Sequence, residues 1–411
     1  MAGVRAVFIL VGTAMGVFAP FISVLLVTRG FGPAEIGIVT AASSLAFTIC
    51  IPAWSHLADV TLGRRRALVI TGVGAGVFSL AAGLPLPALL LGVCFVGFSA
   101  FESAWGPLAD ALAVNAVRDR VHGYGRIRLL ASAGFAVTVA AAGFLYDRTG
   151  YGPSYSLSLV LSLALAAAAV FTPDIARADL AVIAGRGGPG KTGWTRGGSF
   201  AVALRVQPRL RAVLAATVLA YVGVMAGFTY LPLRIVDLGG QPSDVALAAS
   251  ASAFAEIPAM LVAGAVAARI GLRGLFALSS CLYAACFAAW VVIDAPAMLI
   301  LSRLFTGVAY AGMGVAAVLA MWTLLPARLQ ATGQGLYQVT AFGLAAMIAN
   351  LAGGFIYESL GHGVLFAAAA VLAVAAAAAG LASFPRRGEA PPADDAAGSP
   401  GLATLPSVPV V

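Results

Sequence analysis

The residues of this chain with chemistry to do are the few charges buried in its apolar runs. The densest set spans Glu102 to Arg128, ESAWGPLADALAVNAVRDRVHGYGRIR. Glu102 and Asp110 lie inside one run, a basic turn follows, and Arg128 re-enters the next. A charge in hydrocarbon costs a few to many kcal/mol. Asp110 and Arg128 sit on segments joined by a short connection, so they can face each other and offset that cost. Either can then reach a polar group of a substrate; the bland alternative is a static ion pair, and the two roles are compatible. Glu102 precedes Asp110 by about two helical turns, on a broadly similar face. Glu256, in Phe254-Ala255-Glu256-Ile257-Pro258, is a candidate proton carrier or substrate contact, or else a neutral acid bonded to a neighbour. Arg303 opens Arg303-Leu304-Phe305-Thr306-Gly307. It can receive an anionic group, pair with Glu256, or snorkel to an interface. Gln338 and Asn350 either line a cavity or bond between helices. Tyr221, Tyr230, Tyr310 and Tyr337 are possible cavity aromatics, with packing as the default.

The elements that hold these residues follow from composition. The chain of 411 residues is 61% hydrophobic and 10% charged, against about 25% charged in a soluble domain. Apolar runs of about 20 residues, the length that crosses a bilayer, recur throughout. They are continuous rather than alternating, which excludes a β-barrel. The expected fold is all-α and polytopic: twelve transmembrane helices in two pseudo-symmetric halves of six. The start, MAGVRAVFIL, reads as the first spanning helix rather than a cleaved signal. The net charge of +8 sits in short loops as membrane anchors, not as a nucleic-acid surface. Cys50, Cys94, Cys281 and Cys286 show no metal spacing, and His56, His122 and His362 have no triad or zinc pattern. With no clustered nucleophile and base, an enzyme is not expected, and neither is a metal or cofactor.

Loops on one side collect nearly all the basic residues, while the other side holds Arg29, Arg148 and Arg234. Both termini are therefore expected in the cytoplasm of a multi-pass protein of a bacterial inner membrane. Residues 1–173 form the first half, 174–209 a flexible linker, 210–384 the second half and 385–411 a disordered tail. The linker's Gly-Gly-Pro-Gly-Lys-Thr lacks the spacing and the strand of a phosphate loop. The halves echo each other: GPAEIGIVTAASSLAF opens the second segment and QPSDVALAASASAFAE the eighth. Such a repeat is the plan of a secondary transporter.

The loop after the second segment reads Ser55-His56-Leu57-Ala58-Asp59-Val60-Thr61-Leu62-Gly63-Arg64-Arg65-Arg66. It resembles the G-x-L-A-D-R-x-G-R-R signature of the major facilitator superfamily, with one extra residue between Asp59 and Gly63. The resemblance implies a gating role for Asp59, Gly63, Arg64 and Arg65. Pro107, Asp110 and Tyr124-Gly125-Arg126-Ile127-Arg128 further resemble the lactose and phenylpropionate permease branch, as does the end of the eleventh segment, Leu351 to Gly361. That branch implies substrate binding by Asp110 and Arg128, with Phe135 stacking on a ring. Its Lys-x-x-His-x-x-Glu coupling row is replaced here by Arg303, Thr306 and Ala309, and its eighth-helix acid is displaced by about one turn to Glu256. The expectation is a monomeric, proton-driven symporter of a sugar-like or aromatic acid-like solute, with proton coupling at Glu256, Glu102 or Asp110. The alternative is an efflux pump for a drug or natural product, disfavoured by the lack of proline near Ala133-Gly134-Phe135. A non-transport receptor is the remote alternative.

Overall fold

The computed structural model describes residues 2–116, 122–172, 197–326 and 329–389. Ten of its helices are long and apolar enough to cross a membrane. Two of these, Pro242–Val292 and Thr332–Ser383, hold 51 and 52 residues. A straight helix of that length would extend about 76 Å, more than twice a hydrocarbon core of about 30 Å. Each is divided by a non-helical glycine: Gly271 (φ 76°, ψ 167°) and Gly361 (φ 83°, ψ 169°). Only glycine enters that region without steric cost, so each marks a turn between two spans.

The spans are therefore α1 (Gly3–Thr28), α2 (Pro33–Leu62), α3 (Arg64–Ala82), α4 (Ala88–Ala113), α5 (His122–Thr149) and α6 (Pro153–Val170). In the second group they are α7 (Arg209–Asp237), α8 (242–270), α9 (272–292), α10 (Pro296–Leu324), α11 (332–360) and α12 (362–383). Within the first group α1 packs on α5 and α6, α3 on α4 and α6, and α2 on α4. In the second group α7 packs against the α11–α12 stretch, and α10 against the α8–α9 stretch. The groups meet along two seams, α2 with α11 and α5 with α8.

Helix breaks shape the interior. In α1, Pro20 has no N–H and crowds the carbonyl four residues earlier. The helix gives way to a 3₁₀ turn at Ala19–Phe21, and the freed Val17 carbonyl accepts from Tyr146 Oη at 2.8 Å. Pro107 does the same to α4, which stops at Glu102 and resumes at Trp105. The Ala100 carbonyl is recaptured by Trp54 Nε1 at 3.0 Å and Ser103 Oγ at 2.8 Å. Buried backbone groups freed by a proline must find such partners in a membrane.

The extra residue after Asp59 also has a structural counterpart. Ala58–Leu62 forms a π-helical turn, closed by Gly63 N–H to the Ala58 carbonyl at 2.9 Å. A π turn is how a helix absorbs one inserted residue.

One stretch departs from the sequence expectation. Residues 174–209 were expected as a flexible connection, yet Gly197–Val206 is helical and Arg209 already belongs to α7. Ala203 is fully buried, Phe200 lies beside Gly335 of α11, and Gln207 reaches the Leu324 carbonyl. The apolar face of this short helix packs across the α10–α11 junction, which stabilises it. Residues 173–196 and 390–411, most of the expected linker and tail, lie outside the described residues.

Candidate functional site

A cavity of about 580 Å³ lies between the two groups of helices, walled by α1, α4, α5, α7, α8 and α10. Both proline breaks border it: Ala19 and Pro20 of α1 are in its wall, and the restarted α4 contributes Gly106 and Asp110. Asp110 and Phe135 stand on the first group's side, Glu256 and Arg303 on the second's. Four residues singled out from sequence are thus brought to one place. Asp110, Glu256 and Tyr310 are each engaged in further interactions.

Arg303 is the best-defined member. It is only 5% exposed, which excludes snorkelling to an interface. Its Nε donates to the Ala248 carbonyl at 3.4 Å and Nη1 to Thr306 Oγ1 at 3.1 Å. Thr306 sits one turn on from Arg303, so α10 itself orients the guanidinium. The ring of Phe228 lies 5.3 Å from the guanidinium carbon, within cation–π range. Among the described residues no carboxylate lies within ion-pair distance of Arg303, so of the readings offered for it the pairing with Glu256 is not formed. A guanidinium has five N–H donors, and protein acceptors use two of them.

Other expected residues are placed elsewhere. Glu102 is not in the cavity wall, although Asp110 is. The shared face assumed for the two acids requires an unbroken helix, and the Pro107 break changes the phase between them. Gln338 is exposed and lines neither this cavity nor the smaller one beside it. It stands just before a π-helical turn at Val339–Leu344, which shifts the face of α11. Asn350 bonds between helices and also lines the smaller chamber rather than the main cavity. Its Oδ1 accepts from Thr229 Oγ1 at 2.6 Å and its Nδ2 donates to Ser44 Oγ at 3.2 Å. Tyr310 lines the main cavity; Tyr221 and Tyr337 instead bond to each other through their hydroxyls at 2.6 Å. The side chain of Arg128 lies outside the described residues, although its backbone belongs to α5.

Sequence reasoning missed Phe228, the α1 wall (Phe8, Val11, Met15) and the hydroxyls Ser132 and Ser252. An aromatic or serine in an apolar helix carries no signal of its own. Pro20 in the first span was the one legible hint.

In the gating loop, Asp59 Oδ1 lies 3.5 Å from Arg64 Nε, and Arg64 Nη1 donates to the Ala111 carbonyl of α4 at 3.2 Å. Arg65 makes no hydrogen bond or ion pair among the described residues.

Residues 3–368 match the model of the MFS_1 like family. The chain belongs to that family of transporters. It is 30% identical over 355 residues to the maltose permease of Geobacillus stearothermophilus, covering 85% of this chain and 86% of the relative. It is 21% identical over 373 residues to an uncharacterised transporter of Bacillus subtilis, covering 87% and 86%. Among solved structures, a mutant of the nucleoside transporter NupG superposes with a TM-score of 0.81 at 17% identity, covering 93% of this chain and 99% of the other. A D-xylose-proton symporter superposes at 0.70 with 14% identity, covering 95% and 98%. The two superpositions establish the fold. The protein is a multi-pass membrane transporter of the major facilitator type rather than an enzyme.

Proposed function

We propose that this transporter is a proton-coupled symporter of a small, polar, sugar-like solute, working by alternating access. The observation that carries the reading is Arg303. A buried guanidinium stacked on Phe228, without a carboxylate among the described residues, has donors left for a ligand's hydroxyl or carboxylate oxygens. Guanidinium donors recognise such paired oxygens with fixed geometry. Asp110 on the facing wall accepts from substrate hydroxyls, and Phe135 offers a ring face. Glu256, on the second group's side of the same cavity, carries the proton. No cofactor is needed, since the proton gradient supplies the energy, and one monomer is a complete unit. The relative named as a maltose permease favours a sugar over an aromatic acid.

The basic residues of the loops favour both termini in the cytoplasm. In that orientation the contacts of Glu358 with Ala34 and of Asp147 with Ser243 tie the two groups together at the outer end. The two groups then rock about the cavity, with Asp59 and Arg64 acting at the inner end.

The largely apolar wall, with Phe8, Val11, Met15, Leu231 and Ile235, supports export of an amphipathic compound as the second reading. Proteoliposomes separate the two. The symporter reading expects labelled maltose to accumulate only when the outside is acidic. No sugar movement under any gradient, together with dye export, would overturn it in favour of the pump.

A further inference from the structure

The main cavity has a neighbour of different chemistry. A chamber of about 270 Å³ lies between α1, α2, α4, α7 and α11. It shares Ala19, Pro20 and Phe228 with the main cavity, so the α1 break and the Phe228 ring form the partition. The main cavity holds Asp110, Glu256 and Arg303. The lining of the chamber contains no titratable side chain and instead carries hydroxyls and one amide.

The hydrogens of these groups divide them into two kinds. Thr40 donates to the Ile36 carbonyl at 2.7 Å, Ser44 to the Thr40 carbonyl at 2.9 Å, and Thr229 to Asn350 Oδ1 at 2.6 Å. Their protons are used, so toward the chamber they are acceptors. The side-chain hydroxyls of Ser23, Ser43 and Ser99, all in this lining, make no hydrogen bond among the described residues. Ser23 is only 5% exposed. A serine in a spanning helix can satisfy its hydroxyl by bonding back to a carbonyl one turn earlier. Three that do not, on three different helices around one chamber, leave donors and acceptors directed at whatever fills it. Phe47, Phe228 and Phe342 supply apolar ring faces in the same wall.

We propose that this chamber is a second subsite, which takes one uncharged polyhydroxylated ring of a two-ring substrate. The first ring lies in the main cavity against Arg303 and Asp110. This inference rests on the sugar reading above and names its substrate class. A charged group would enter the chamber without a counter-ion, at a heavy desolvation cost. An apolar ring would leave the three serines unsatisfied. A polyol ring meets both the mixed donors and acceptors and, through its C–H faces, the aromatic walls. At about 270 Å³ the chamber falls below the ~300–1,000 Å³ of complete ligand pockets, so it suits one ring and not a whole substrate.

Calorimetric titration of the purified full-length protein with maltose and with glucose tests the assignment. Removing two free hydroxyls without adding volume, in the Ser43→Ala/Ser99→Ala double variant, is expected to weaken maltose about ten-fold or more and glucose less than about two-fold. Ser43→Leu, which fills the chamber, is expected to abolish the advantage of maltose over glucose. Retained glucose binding shows that each variant is folded; if the leucine variant does not fold, the alanine pair decides. Equal losses for both sugars, or no loss for either, would overturn the subsite while leaving the sugar reading intact. A wild-type protein that binds glucose as tightly as maltose would do the same. A wild-type protein that binds neither sugar overturns the sugar reading, and the subsite with it.

Discussion

The two ends of the helix bundle are held by different kinds of contact. At the end away from the termini, polar contacts cross between the groups. Glu358 Oε2 of α11 accepts from the Ala34 N–H of α2 at 2.7 Å, and Asp147 Oδ1 of α5 accepts from the Ser243 N–H of α8 at 2.8 Å. Each acid thus satisfies a free donor at a helix N-terminus, where the helix dipole favours negative charge. At the end that carries the termini, the polar contacts among the described residues stay within one group. Asp59, Arg64 and Ala111 all belong to the first; Arg209, Arg273, Phe384 and Glu389 all belong to the second. The difference teaches where the equilibrium is set. The crossing contacts bias the protein toward the state seen here, while the others hold each group rigid in either state.

The contrast breaks most severely at the closest approach of α2 and α11. A Cβ on Gly37 would lie 2.4 Å from the Asn350 carbonyl oxygen and 3.1 Å from Gly354 Cα. Gly37→Val must part the helices, and overpacking of this kind costs about 1–3 kcal/mol or more. Uptake should fall toward background. Spin labels at the exposed residues Leu84 and Val292, one in each group at the end away from the termini, should show a longer distance. An unchanged distance distribution would remove this seam from the account.

The carboxylate contacts come next. Asp147→Ala and Glu358→Ala each remove a charge-assisted hydrogen bond of about 1.5–3 kcal/mol. Each is expected to move the population toward the opposite state by about ten-fold. The two seams share no residues, so the effects should add. Asp59→Ala is the control. It removes a within-group pair worth about 0–1 kcal/mol, and the label distance should stay where it is. A large shift from Asp59→Ala, with none from the other two, would reverse the assignment of the two ends.

Much of this arrangement was legible in the sequence because charges and glycines in apolar runs are few and expensive. The repeated openings GPAE and QPSD mark the starts of α2 and α8, where Glu35 and Asp244 cap their own backbones at Gly32 and Gln241. Gly271 and Gly361 fall where two apolar runs meet, and the structure turns there. Asp110, Phe135, Glu256 and Arg303 converge because each was either out of place in hydrocarbon or matched a family position. Glu102 was assigned a face by counting along an ideal helix, and the break at Pro107 altered the count. The hydroxyl chamber was illegible for another reason. Whether Ser23, Ser43 and Ser99 bond back to their own helices or face a space depends on neighbours that one sequence does not reveal.

The smallest expected effect sharpens the within-group side of the comparison. Beyond α12, Glu389 accepts from Arg209 Nη1 and from the Arg386 N–H, both at 2.7 Å. Partial burial pushes its carboxyl up, but these hydrogen bonds and the charges of Arg209 and Arg273 outweigh it, leaving Glu389 below the ordinary carboxylate value. A depressed carboxylate contributes stability that is present above the unfolded value, about 4.3 for Glu. That contribution is lost as pH falls through the lower folded value. The melting temperature in detergent should therefore decline on acidification below about pH 4.3, and this component should be missing in Glu389→Gln. Because Glu389 and Arg209 both belong to the second group, the Leu84–Val292 distance should not follow that acid step. If it did, the clasp at Glu389 would have to be counted among the contacts that set the state of the transporter, and the distinction between the two ends would fail.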